Sequence, residues 1–182
     1  METDGVLIER SARGRPDAFV EVVRRHEVAV HAFLARRAGR QAADDLLGEV
    51  WLRAFRGRPG FDPAHPDARP WLYGIARNVL RAHWREARSG PPADGSGVPG
   101  AVDPWDDVID RLDAAATAHA REMTGALGAL PPDEREVLLL VAWEQLTPAQ
   151  AALVLGIPPG TARSRLHRAR AALRPVLARE GT

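Results

Sequence analysis

From Ser89 to Pro104 the chain reads SGPPADGSGVPGAVDP, and this stretch constrains the fold more than any other. Its prolines withhold the backbone donors that helices and ladders need. Its glycines keep full conformational freedom, and it offers almost no apolar surface to bury. Such a segment reads as a flexible linker between two modules. Neither flank carries a strand signal, because period-2 runs of β-branched residues joined by hairpin dipeptides are missing. The expected class is all-α: two small helical domains, at 1–90 and 116–182, joined by an acidic, Pro/Gly-rich linker at 91–115.

Composition narrows the function. With no cysteine in 182 residues, disulfide scaffolds, zinc–thiolate sites and thiol nucleophiles are excluded. No run approaches the roughly 20 apolar residues of a membrane span. The acidic opening METDGVLIERSARGRPDAF is unlike a secretory signal, so a cytoplasmic protein without direct membrane insertion is expected. All 25 basic residues are arginine, a planar, permanently charged fork suited to phosphates and guanine edges. The net charge of +1 conceals a segregation: +4 over 1–90, −7 over 91–134 and +4 over 135–182. That layout suggests two anion-binding modules around an acidic connector.

In the first module, Pro16 to Leu34 places Phe19, Val22, Val23, Val30 and Phe33 at helical spacing. A second helix, about Ala42 to Phe55, aligns Leu46, Leu47, Val50, Trp51 and Ala54. A loop broken by Pro and Gly follows. Pro70 then suits the first position of a third helix, with Trp71, Leu72, Ile75, Val79 and Ala82 inward. The other face of that helix carries Arg77, Arg81, Arg85 and Arg88, with Trp84 beside them.

In the second module, Ala118–Leu130 and Asp133–Glu144 read as amphipathic helices separated by Pro131 and Pro132, with Trp143 in the core. Next, Thr147, Pro148 and Gln150 form a capping box with proline at the first helical position. Gly156 ends that short helix, and a long one follows with Ala162, Leu166, Ala169 and Leu173 inward. A short capped helix, a glycine turn and a basic second helix make a helix-turn-helix pattern. No acid occurs from Gln145 to Arg179, so nothing within the segment pairs with Arg163, Arg165, Arg168 or Arg170.

Three motifs together carry a family resemblance. LGIPPGTARSRLHRARAAL resembles the DNA-reading segment of extracytoplasmic-function (ECF) sigma factors, the small two-domain relatives of bacterial sigma-70. RPWLYGIARNVLRAHWREAR resembles their promoter-melting helix, and ADDLLGEVWLRAF their polymerase-binding helix. The motifs stand in family order and span about Asp17 to Leu177. There are departures. Gly48 replaces a usual Gln at a helix-propensity cost of roughly 1 kcal/mol against Ala. Ala82 replaces a common Asp, and Ala149-Gln150-Ala151 a usual Glu-Glu-Ile, leaving less apolar volume at Ala151.

The resemblance implies roles residue by residue. Ser164, His167 and Arg168 would reach base edges of the minus-thirty-five element, while Arg163, Arg165 and Arg170 hold phosphates or flank the contact. Arg77, Asn78, Arg81, Trp84, Arg85 and Arg88 would serve the minus-ten element, with Trp84 the stacking candidate and Trp71 in the core. The long loop Arg58–Arg69 would capture a base flipped from the non-template strand. Asp45, Leu46, Glu49 and Val50 or Trp51 would meet the polymerase, against the β′ coiled coil within the β/β′ core. The linker acids Asp103, Asp106, Asp107, Asp110 and Asp113, with Trp105 among them, would lie in the RNA path. The family also implies an anti-sigma factor as partner and no cofactor.

Other chemistries have little support in the sequence. Asp44, Asp45 and Glu49 lack a His at ligand spacing, which argues against a metal. His26 and His31 share a face poorly, and His65, His83 and His119 are scattered. No Ser-His-Asp, HExxH or phosphate-loop pattern occurs, so an enzyme is not expected. The rival reading is a stand-alone helix-turn-helix repressor. No dimerisation helix supports it, and it leaves the first module unexplained.

Overall fold

The computed structural model describes residues 2–89 and 118–178, and all regular structure among them is helical. The chain divides into two units, one ending at Arg85 and the other beginning at Glu86.

The first unit opens with a helix that sequence periodicity passed over, α1 (Asp4–Ala12), whose Thr3 cap accepts a hydrogen bond from the Val6 N–H. It inserts Leu7 and Ile8 into the core. Helix α2 (Ala18–Ala38) buries Phe19, Val22, Val30, Phe33 and Leu34 at helical spacing, while Val23 is only half-buried. Gly39, at φ +83°, ends α2 and starts α3 (Arg40–Gly57). The left-handed φ favours glycine, because a Cβ would be strained there. Helix α3 buries a narrower stripe than expected: Ala43, Val50 and Ala54 are buried, whereas Leu46, Leu47 and Trp51 are half-buried. The Phe19 ring meets Trp51 and Phe55 edge-on, at 6.3 and 5.5 Å, and ties α2 to α3.

After a single 3-10 turn at Arg58–Gly60, a loop leads to α4 (Arg69–Ser89). Helix α4 buries Leu72, Tyr73, Ala76, Val79 and Leu80. This corrects the expected inward stripe: Trp71, Ile75 and Ala82 are half-buried, and the core face is rotated by roughly a quarter-turn toward Tyr73 and Leu80. Tyr73 stacks on Phe33 at 4.9 Å, and this contact fixes the rotation.

The second unit comprises α5 (Ala118–Gly128), α6 (Pro132–Ala142), α7 (Pro148–Leu155) and α8 (Pro159–Leu177). Its core gathers Leu130, Val137, Leu138, Ala152, Ala162, Leu166, Ala169 and Leu173. Trp143 caps α6 and is half-buried beside Leu139. Arg135 is buried, and its guanidinium donates to the carbonyls of Leu127, Gly128 and Leu130 at 2.7–2.8 Å. A cation there satisfies acceptors that the end of α5 leaves open. Ala151 is fully buried. The capping box at Thr147 and Gln150 is formed on both sides, and Gly156 closes α7 at φ +66°.

Candidate nucleic-acid interface

Helix α8 is held from behind by Ala162, Leu166, Ala169 and Leu173. That burial turns Ser164, His167 and Arg168 to solvent, with Arg163 and Arg170 also exposed. The short α7 and the Gly156 turn set the start of α8, and proline occupies its first turn. One sequence expectation is corrected. Two of the α8 arginines do have acidic partners, supplied by α6: Arg165 pairs with Asp133 at 2.5 Å and Arg168 with Glu134 at 2.5 Å. These acids lie 32 and 34 positions upstream, on a different helix.

In the first unit, Asn78, Arg81 and Arg85 are exposed on α4, while Arg77 and Trp84 are half-buried. The Arg88 side chain and the linker residues Asp103, Trp105, Asp106, Asp107, Asp110 and Asp113 lie outside the described residues.

The loop before α4 is anchored at both ends. Phe61 packs edge-on against Trp71 at 5.0 Å, so Trp71 serves the loop more than the core. At the other end Asp4, from α1, is a buried hub. Its backbone N–H donates to the Pro66 carbonyl at 3.2 Å, and its Oδ2 accepts from the Ala68 N–H at 3.0 Å. His26 Nε2 lies 2.7 Å from the same oxygen, and Arg25 donates to Oδ1 at 3.1 Å. Burial alone would raise the Asp4 pKa. The bonds from His26, Ala68 and Arg25 outweigh it and bring the group down to about 2. Beside it, Gly5 leaves room for the loop: a Cβ there would stand 2.4 Å from the Pro63 carbonyl oxygen. Asp67 opens α4 by accepting from the Arg69 N–H at 2.9 Å. Its carboxyl is held below the usual range: burial opposes that shift, and the Arg69 hydrogen bonds overcome it.

On α3, Asp45 is exposed, Leu46 is half-buried, and Glu49 pairs with Arg53 at 2.6 Å. Val50 is 0% exposed, so it packs inside the unit and offers no surface contact, contrary to the expectation from sequence. Leu52, at 43% exposure, is the large apolar residue that α3 does present, and the sequence reading missed it. His31, from α2, reaches Asp44 at 2.9 Å, a pairing invisible in sequence spacing. Among the described residues, no group of three or more His, Cys, Asp or Glu is arranged to hold a metal ion.

Sigma-70 region 2 matches residues 22–90 and Sigma-70, region 4 matches residues 120–173. The ECF RNA polymerase sigma factor SigC of Mycobacterium tuberculosis is 37% identical over 90% of this chain and 85% of its own. The chain belongs to the ECF sigma factors. As such it directs promoter recognition, DNA melting and transcription initiation by RNA polymerase. The sigma factor CarQ of Myxococcus xanthus is 32% identical over 93% of this chain and 95% of its own. The solved structure of CnrH in complex with the cytosolic domain of CnrY is similar over 98% of this sigma factor and 99% of that chain, with 27% identity and a TM-score of 0.65. No described helix of this sigma factor is long and apolar enough to cross a membrane.

Proposed function

We propose that this sigma factor reads promoters through two separate helical faces, one in each module, within the division 1–90, 91–115 and 116–182. On α8, Ser164, His167 and Arg168 face base edges of the minus-thirty-five element. Arg163, Arg165 and Arg170 hold phosphates or flank the contact, with the lesser share falling to Arg165, which Asp133 already neutralises. On α4, Arg77, Asn78, Arg81, Trp84, Arg85 and Arg88 engage the minus-ten element, and the Arg58–Arg69 loop receives the flipped base. Unpairing that base costs a few kcal/mol, which stacking and hydrogen bonds offset. The observation that carries this reading is the α8 geometry, an apolar stripe buried behind a polar face that a capped turn directs to solvent.

The polymerase contact is assigned to the exposed face of α3: Asp45, Leu46 and Glu49, with Leu52 in place of Val50. The double variant Asp45→Arg, Glu49→Arg should lose co-purification with core polymerase while keeping its helical content, since both are surface charge reversals. Unchanged affinity for core would remove α3 from the interface.

Bond-making chemistry stays with the polymerase, so the chain itself is not an enzyme, and it works in the cytoplasm. An anti-sigma factor holds it inactive; in support, the similar CnrH was solved with the cytosolic domain of CnrY. Gel-shift and transcription assays with purified core test the central reading. The free chain should leave a promoter duplex unshifted, and addition of core should give a shift and a transcript. A shift by the chain alone, with no transcript when core is present, would refute it.

A further inference from the structure

We propose that Glu134 is a positioning residue that presents Arg168 to a guanine edge in the minus-thirty-five element. The inference rests on the reading of α8 as the promoter-reading helix. It starts from which nitrogen of Arg168 is engaged. The bond to Glu134 Oε1 runs through Nε, at 2.5 Å, and the two terminal nitrogens make no hydrogen bond among the described residues. A guanidinium held at Nε keeps its Nη1 and Nη2 fork pointing outward. That fork is the part of arginine that matches the O6 and N7 acceptors of guanine.

The burial of the two partners is unequal in the useful sense. The Glu134 side chain is 14% exposed and that of Arg168 is 58% exposed. The carboxylate is therefore the fixed member and the guanidinium the reaching one. Glu134 is fixed twice over. Its backbone N–H donates to the Pro131 carbonyl at 2.9 Å in the first turn of α6. Helix α6 packs on α8 through Val137 and Leu138, which share a cluster with Leu166, Ala169 and Leu173. Without the carboxylate, Arg168 samples its many rotamers and must be ordered by the DNA itself, at a cost charged only to the complex that uses the fork. A carboxylate acting as a plain competitor for DNA has the opposite signature, because its removal strengthens binding to every duplex.

The test uses holoenzyme and a panel of promoter duplexes in which each minus-thirty-five position carries each of the four bases. The variants are E134A, E134Q, R168A and E134A/R168A, with thermal unfolding as the check on folding. R168A should abolish a guanine preference at one or two positions. E134A should reduce that same preference about two- to twelvefold, the range for ordering one rotamer-rich side chain, with affinity for mismatched duplexes equal or higher. E134Q retains an oxygen acceptor for Nε and should restore most of the preference. In the R168A background, E134A should change the preference no further, which a general loss of packing would not reproduce. If R168A flattens the preference and E134A leaves it intact, or raises affinity for all duplexes equally, Glu134 does not position Arg168. If R168A itself leaves the preference intact, α8 docks in another rotation and the inference falls with the reading it rests on.

Discussion

Asp4 shows how much one carboxylate can hold. Its ordinary pKa of 3.8 falls to about 2 in the folded chain. A group whose folded pKa is depressed contributes stability that is present above the unfolded value and lost as pH falls through the folded one. Thermal melts of the wild type should therefore lose a component between about pH 4 and pH 2, and Asp4→Asn should lack that component while remaining less stable at neutral pH. Parallel pH profiles for the two proteins would show that Asp4 is not the group responsible. Gly5 tests the same junction by volume. A Cβ there meets the Pro63 and His65 carbonyl oxygens at 2.4 and 2.7 Å, both backbone atoms that cannot swing aside. Gly5→Ala should cost about 1–3 kcal/mol, as overpacking does, measured by urea unfolding. A variant as stable as the parent would mean that the loop yields easily. Neither residue was legible as a site from sequence. Asp4 bonds to Ala68, 64 positions away, and no local pattern marks a carboxylate for so distant a partner.

At the scale of the helix, legibility follows locality. Helices α7 and α8 were readable because the capping box, the αL glycine and the apolar stripe are each settled within a few residues. The stripe of α4 was misread because Trp71 and Ile75 look like core by hydropathy, while the choice of face was made by Phe33 stacking on Tyr73. Asp133 and Glu134 were missed as partners of α8 because they sit on α6, beyond any window that treats α8 alone. Gly48 offers a prediction of the opposite sign. It lies inside α3, it is exposed, and a Cβ there meets nothing within 4 Å. Gly48→Ala should therefore stabilise the first unit by about 1 kcal/mol, read as a rise in the melting temperature. A fall would show that the missing side chain serves the fold. The departure from the family pattern at this position is thus a cost that packing does not require.

For the whole molecule, the two units have cores of their own, and the sequence division into two helical modules rested on the breaker run between them. The acids of that connector give a prediction that neither unit alone can supply. If these carboxylates lie in the RNA path, as the family resemblance implies, replacing Asp103, Asp106, Asp107 and Asp110 by Asn should alter the yield of short initial transcripts more than promoter affinity. Normal short-RNA synthesis with weakened promoter binding would reverse the assignment. The clamp at Asp4 also bears on what counts as an exchangeable part among such proteins. The region 2 match starts at residue 22, yet the loop entering α4 is fastened by a residue ahead of that boundary. A chimera cut at the boundary would transplant the loop without its fastening. The portable unit is the longer piece that carries α1 along, and exchanges of promoter preference should be joined upstream of Thr3.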